Sequence, residues 1–217
     1  MWCCNALQKD LELIAKQIDI WAHNPWQWIK DCVITIDETT GESKKFPDKP
    51  YFPYVIDAWQ ESSILAVPKS RRMMATWLFL ALHLWAAIFR PFSAIFIQSQ
   101  TSSKSEYLVG PQRMWHMYNN LPAGYDWPKV SRSLMGQGGI KDISLNNGSI
   151  IKAIGEGADQ FRQYTASHVM MDEFGFWEKA KESYTATLPC IQGGGKVAIV
   201  SSAEPGFFEQ VVSGKLE

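Results

Sequence analysis

Residues 67–77 read VPKSRRMMATW, preceded by the apolar run ILAV at 64–67 and followed by a long apolar run from Trp77. Strand, basic turn, helix is the setting of a phosphate-binding loop. Such a loop needs converging backbone N–H groups, a helix N-terminus, a positive side chain and a hydroxyl for Mg2+. The consensus G-x-x-x-x-G-K-[ST] maps onto Lys69, Ser70, Arg71, Arg72, Met73, Met74, Ala75 and Thr76. Thr76 matches. Met74 replaces the second glycine, Ala75 replaces the lysine, and the positive charge has moved forward to Lys69, Arg71 and Arg72. Alone, the match is weak, and a solvated basic turn is the better reading.

A second motif favours the phosphate loop. HVMMDEFGFW sets Asp172 and Glu173 directly after a short apolar strand, the Walker B arrangement. Asp172 would serve Mg2+, and Glu173 would polarise the attacking water as general base. Adjacent carboxylates repel and resist burial in the charged form, and a bound cation offsets that. The competing reading is a helix N-cap. A third motif, VAIVSSAEPG, leaves Ser201, Ser202 and Ala203 at the end of the next strand, as γ-phosphate sensors or as a plain turn. Arg162 lies ten residues before Asp172 in a polar, glycine-flanked loop. It reads as a surface charge or as an arginine finger reaching a neighbouring subunit's site.

Around these motifs, short apolar strands alternate with helices. Strands are expected at 64–67, 93–98, 168–172 and 196–202, a hairpin at 143–154 turning at Asn147-Gly148, and helices at 76–89 and 103–118. Residues 6–31 read as helical with a break at Pro25, 38–45 as a polar loop, 49–59 as an aromatic stretch with a turn or two of helix, and 119–139 as loop. The fold class is α/β: a mainly parallel central sheet flanked by helices. Residues 1–48 are expected to form a helical N-terminal extension and 49–217 the α/β domain. Ligands of such sheets bind at the carboxyl ends of the strands, where all three motifs fall.

The whole chain sets bounds on partners. A formal net charge of −1 over 217 residues gives no global basic field, so nucleic acid would need a local patch. Lys104, Arg113, Lys129, Arg132 and Lys141 are candidates for one, or a scattered solvated set. Four cysteines, Cys3, Cys4, Cys32 and Cys190, fit no zinc spacing and imply a reducing compartment. The uncharged run 73–89 reads as a buried helix rather than a membrane span.

VPKSRRMMATW, FRQYTASHVMMDE and VSSAEP, in that order and at these separations, resemble the ATPase domain of the large terminase subunit of tailed bacteriophages over roughly residues 50–210. The resemblance implies that residues 49–217 are a RecA-like P-loop ATPase domain that assembles as a homo-oligomeric ring, with Mg2+ as cofactor and ATP as substrate. It would drive double-stranded DNA into a procapsid in the host cell cytoplasm. Its partners would be the portal protein and a small terminase subunit that recognises the genome. By the same resemblance Lys69, Arg72 and Thr76 contact phosphates or Mg2+, Asp172 serves the metal, Glu173 and Arg162 serve catalysis, and Ser201-Ser202-Ala203 form the coupling motif. Adenine-side candidates are Phe52, Tyr54 and Gln60. Such proteins usually carry a nuclease domain downstream; no spaced set of metal-binding carboxylates is seen here, so that domain is expected to lie outside this sequence. Two other readings are a helicase-like ATPase and a non-catalytic interaction domain with a degenerate nucleotide site.

Overall fold

The computed structural model describes residues 2–157 and 165–215. Arg162 and Leu216-Glu217 lie outside the described residues. The chain opens with α1 (Trp2–His23) and α2 (Pro25–Cys32). Asn24 separates them: its side chain accepts a hydrogen bond from the Gln27 N–H at 2.9 Å, and Pro25 takes the first helical position. A small antiparallel hairpin follows, β1 (Ile34–Ile36) and β2 (Ser43–Lys45), then α3 (Phe52–Glu61). The expected loop at 38–45 thus contains the turn and second strand of that hairpin.

The body of the molecule is built from β3 (Ile64–Lys69), α4 (Ala75–Phe89), β4 (Ala94–Gln98), α5 (Ser102–Val109) and α6 (Met114–Asn119). It continues with β5 (Val130–Met135), β6 (Ile140–Leu145), β7 (Ile150–Ile154), β8 (His168–Asp172), α7 (Ala180–Cys190), β9 (Lys196–Ser202) and α8 (Phe207–Ser213). Two expectations change. The single helix at 103–118 is two, broken at Gly110-Pro111, where proline removes a donor and clashes with the preceding turn. The expected loop at 119–139 contains β5, an edge strand with five of its six residues exposed and hence no apolar alternation to betray it.

Seven strands form one sheet in the order β3-β9-β8-β4-β7-β6-β5. The first five run parallel, while β6 and β5 add an antiparallel ribbon. Both faces are covered, and the strands show why they read as unbroken apolar runs. In β8, Met170 packs toward the α4 side while Val169 and Met171 pack toward the opposite layer with Phe174 and Tyr184. In β9, Ala198 and Val200 face α4, and Val197 and Ile199 face away. Helix α4 is apolar on all sides because the sheet lies on one side and Trp21, Trp28 and Ile29 of the N-terminal helices on the other. At its far end Asn147 Nδ2 donates to the Ala87 and Ile88 carbonyls, closing the helix with the hairpin turn. No helix among the described residues is long and apolar enough to cross a membrane.

Candidate functional site

Strand order decides what meets at the carboxyl edge of the sheet. β9 is inserted between β3 and β8, so the loops after all three strands are neighbours. In register, Lys69 lies opposite Ser202, and Asp172 opposite Val200. The three motifs, more than a hundred residues apart in sequence at their extremes, converge on an open cleft of about 1140 Å³. Lys69, Thr76, Asp172, Glu173 and Ser202 line it.

The contacts within the cleft are specific. Thr76, in the first turn of α4, donates its hydroxyl to Asp172 Oδ1 at 2.8 Å. Lys69 Nζ donates to Glu173 Oε1 at 2.7 Å, and Ser202 N–H lies 3.5 Å from Glu173 Oε2. Ser201 is fully buried, and its hydroxyl accepts from the Gly175 N–H at 2.9 Å, tying the turn after β8 to the end of β9. Ala203 follows on the exposed surface. Ser70, Arg71 and Arg72 are exposed at the tip of the basic loop, with Arg71 and Arg72 facing the cleft.

The backbone explains how a loop without glycine adopts this shape. Among the described residues, four non-glycine positions have positive φ, and three of them are here: Arg72 at 64°, Met74 at 56° and Glu173 at 52°. Met74 occupies the position of the consensus glycine and keeps the left-handed conformation a glycine would take there. That conformation costs a residue with a Cβ about 1–2 kcal/mol, and such strain is concentrated at functional sites. The loop is held from behind by the Tyr51 hydroxyl, which donates to the Met73 carbonyl at 3.0 Å.

Asp172 is buried, and its carboxyl is pushed up to about 6. Burial is the main cause and Glu173 adds to it; the Thr76 hydrogen bond and the charges of Lys69 and Arg113 oppose it. A buried carboxylate beside a hydroxyl, opening on a cleft, suits a hard divalent cation that completes its shell with phosphate oxygens and water. Among the described residues no group of three acidic, histidine or cysteine side chains forms an all-protein cage. The donor set therefore fits Mg2+ held jointly with a phosphate.

The adenine-side candidates fall elsewhere. Phe52 is fully buried against Trp26, Phe46 and Tyr51. Tyr54 is 77% exposed and does not line the cleft. Gln60 lines a separate cavity of about 460 Å³ at the amino end of β9, where its carbonyl accepts from Lys196 Nζ at 2.7 Å. The basic patch also divides. Lys129, Arg132 and Lys141 are exposed on the β5–β6 ribbon, whereas Lys104 and Arg113 line the cleft. Sequence reasoning missed Gln100, Trp77, Tyr107 and Glu38, which also line it. Gln100, two residues beyond β4, was reachable from the rule that ligands bind at carboxyl ends; nothing in the sequence points to Glu38.

Five parallel strands with β9 inserted between β3 and β8, extended by an antiparallel ribbon and flanked by helices, give the fold found in the ATPase domains of large terminases. The large terminase of bacteriophage HK97 superposes with a TM-score of 0.64 at 14% identity, covering 89% of this chain and 42% of that one. A large terminase from a thermophilic bacteriophage gives 0.52 at 13% identity, over 71% of this chain and 38% of its own. The ATPase domain of the Thermus phage P74-26 large terminase gives 0.50 at 16% identity, over 76% and 69%. The chain thus spans less than half the length of the first two of these proteins. No protein-family model and no curated relative matches the sequence.

Proposed function

We propose that this chain is the ATP-hydrolysing motor domain of a large terminase, with residues 49–217 as the ATPase domain and 1–48 as an extension packed on α4. The observation that carries the reading is the pair of contacts Thr76–Asp172 and Lys69–Glu173, which join the basic loop to the acidic pair at the carboxyl edge of the sheet. The likeness of fold to large terminases supports the same reading.

In this mechanism the loop 69–76 and the N-terminus of α4 bind the phosphates of ATP. Thr76 and Asp172 would hold Mg2+, which when bound neutralises charge on the β- and γ-phosphates. Glu173 orients a water and accepts its proton. Lys69 Nζ pairs with Glu173 Oε1 at 2.7 Å, and a phosphate that draws Lys69 away would free the base. Ser202 N–H beside Glu173, and the Ser201–Gly175 bond behind it, give β9 a direct contact with the catalytic turn through which hydrolysis would be felt. The products of each turnover are ADP and phosphate, and the work done would be translocation of double-stranded DNA into a procapsid in the host cytoplasm. That assembly includes the portal, a small terminase subunit and further copies of this chain in a ring.

The test is phosphate release from ATP by the purified protein, with and without Mg2+ and with Glu173→Ala beside it. Mg2+-dependent release that Glu173→Ala abolishes supports the reading. A wild type indistinguishable from buffer, alone and in the presence of procapsids and DNA, would leave a non-catalytic domain in its place.

A further inference from the structure

The cleft contains a cation that the three motifs do not include. Arg113 sits at the break between α5 and α6, and its side chain is 14% exposed. Its guanidinium lies 4.6 Å from the ring centroid of Trp77, the residue after Thr76, and 5.3 Å from that of Tyr107. Its ionic partner is Glu38 in the β1–β2 turn, with Arg113 NH2 to Glu38 Oε1 at 2.6 Å.

The two halves of this pair are unequal. Arg113 is held by aromatic rings and largely shielded from water. Glu38 is 67% exposed on a hairpin turn, so leaving the pair returns its carboxylate to water at little cost. A planar guanidinium on aromatic faces is the arrangement in which arginine binds carboxylate or phosphate through its fork. The loop also lacks a cation where one is needed. Ala75 replaces the usual lysine, Lys69 is taken by Glu173, and Arg71 and Arg72 are exposed at the loop tip. Arg113 is a cleft cation outside the three motifs, and the two rings and Glu38 set its position.

We propose that Arg113 is a phosphate-binding residue of this cleft, supplied from the same chain, and that Glu38 occupies it until the phosphates of a nucleotide displace it. The proposal rests on the nucleotide reading above and deepens it. The Glu38 side chain moves rather than the β1–β2 hairpin, which Ser43 also ties to His116 at 3.3 Å.

Binding of ATPγS and of ADP, each with Mg2+, to the wild type, Arg113→Ala, Arg113→Lys and Glu38→Gln separates the outcomes. Arg113→Ala should weaken ATPγS binding by about 10- to 100-fold, the scale of one lost charge-assisted contact. Arg113→Lys should recover part of it. Glu38→Gln should tighten binding, because it removes the competitor and leaves the phosphate contact. That sign opposes what a purely structural ion pair predicts, and this variant alone decides the matter if Arg113→Ala does not fold. Arg113→Ala that binds like the wild type, or Glu38→Gln that leaves binding unchanged or weaker, would overturn the proposal while leaving the nucleotide site standing. A wild type that binds neither nucleotide would overturn the nucleotide reading and this inference together.

Discussion

Lys69 Nζ and Glu173 Oε1 are 2.7 Å apart although 104 residues separate them in the chain. The lysine is 9% exposed and the glutamate 40%. The contact joins the start of the basic loop to the residue proposed above to activate water, and pairs the lysine's charge with that carboxylate. It also gives the displaced lysine a physical position: from the end of β3, Lys69 reaches across β9 to the acidic pair on β8.

Lys69→Ala is expected to weaken ATP binding and abolish turnover, because Ala75 supplies no charge in its place. Equilibrium binding and phosphate release measured on Lys69→Ala and Arg72→Ala check this. A silent Lys69→Ala with an inactive Arg72→Ala would assign the loop's phosphate-binding charge to Arg72.

Glu173→Ala is expected to lower kcat by about 10²–10⁴ with nucleotide affinity nearly intact, since a general base acts in the transition state rather than in binding. Steady-state kinetics beside direct binding separates the two effects. A parallel loss of affinity would mean that Glu173 serves to position the phosphates rather than the water.

Asp172 sets a pH dependence whose sign follows from its raised carboxyl, about 6 against an ordinary 3.8. The fold favours the protonated form, so this group's stabilising contribution is full below about pH 4 and is lost as pH rises through about 6. The nucleotide-free protein should therefore lose on the order of 2–3 kcal/mol from Asp172 between pH 4 and pH 7. Denaturant unfolding of the wild type and of Asp172→Asn across this range should show the difference, with the variant flatter. Mg2+ requires the ionised form, so Mg2+-dependent nucleotide affinity should fall as pH drops below about 6.

Arg162 lies outside the described residues, and its role is a proposal from sequence. An arginine finger acting in a neighbour's site contributes about 10³–10⁵ in rate. Specific ATPase activity should then rise with protein concentration or on assembly with portal and DNA, and Arg162→Ala should remove the rise. Mixing Arg162→Ala with Glu173→Ala should restore some activity, each subunit lending what the other lacks. Concentration-independent activity with a wild-type-like Arg162→Ala in the assembly would return Arg162 to the solvated surface.

The central sheet was legible because buried parallel strands are short continuous apolar runs: 64–67, 93–98, 168–172 and 196–202 each coincide with a strand to within two residues. That the three motifs would meet was legible because loops after neighbouring parallel strands share the carboxyl edge of the sheet. What was hidden depends on tertiary context. β1 and β2 are three residues each, and β5 is exposed along nearly its whole length. Arg113 read as one basic residue among five because its destination is set by the helix break at Gly110-Pro111 and by two rings brought from other elements. Phe52 and Gln60 were drawn toward adenine by their nearness in sequence to the basic loop, yet one is core and the other lies at the opposite end of the sheet. The left-handed backbone at Met74 leaves no trace in a sequence that lacks the glycine.

A crystal structure with Mg2+ and ATPγS tests the central claim most directly. The account predicts the triphosphate in the cleft at the end of β3, β8 and β9. The metal should lie between Thr76, Asp172 and phosphate oxygens, with Lys69 moved from Glu173 onto a phosphate. A nucleotide bound at another surface, or a triphosphate in the cleft with the metal away from Thr76 and Asp172, would contradict it.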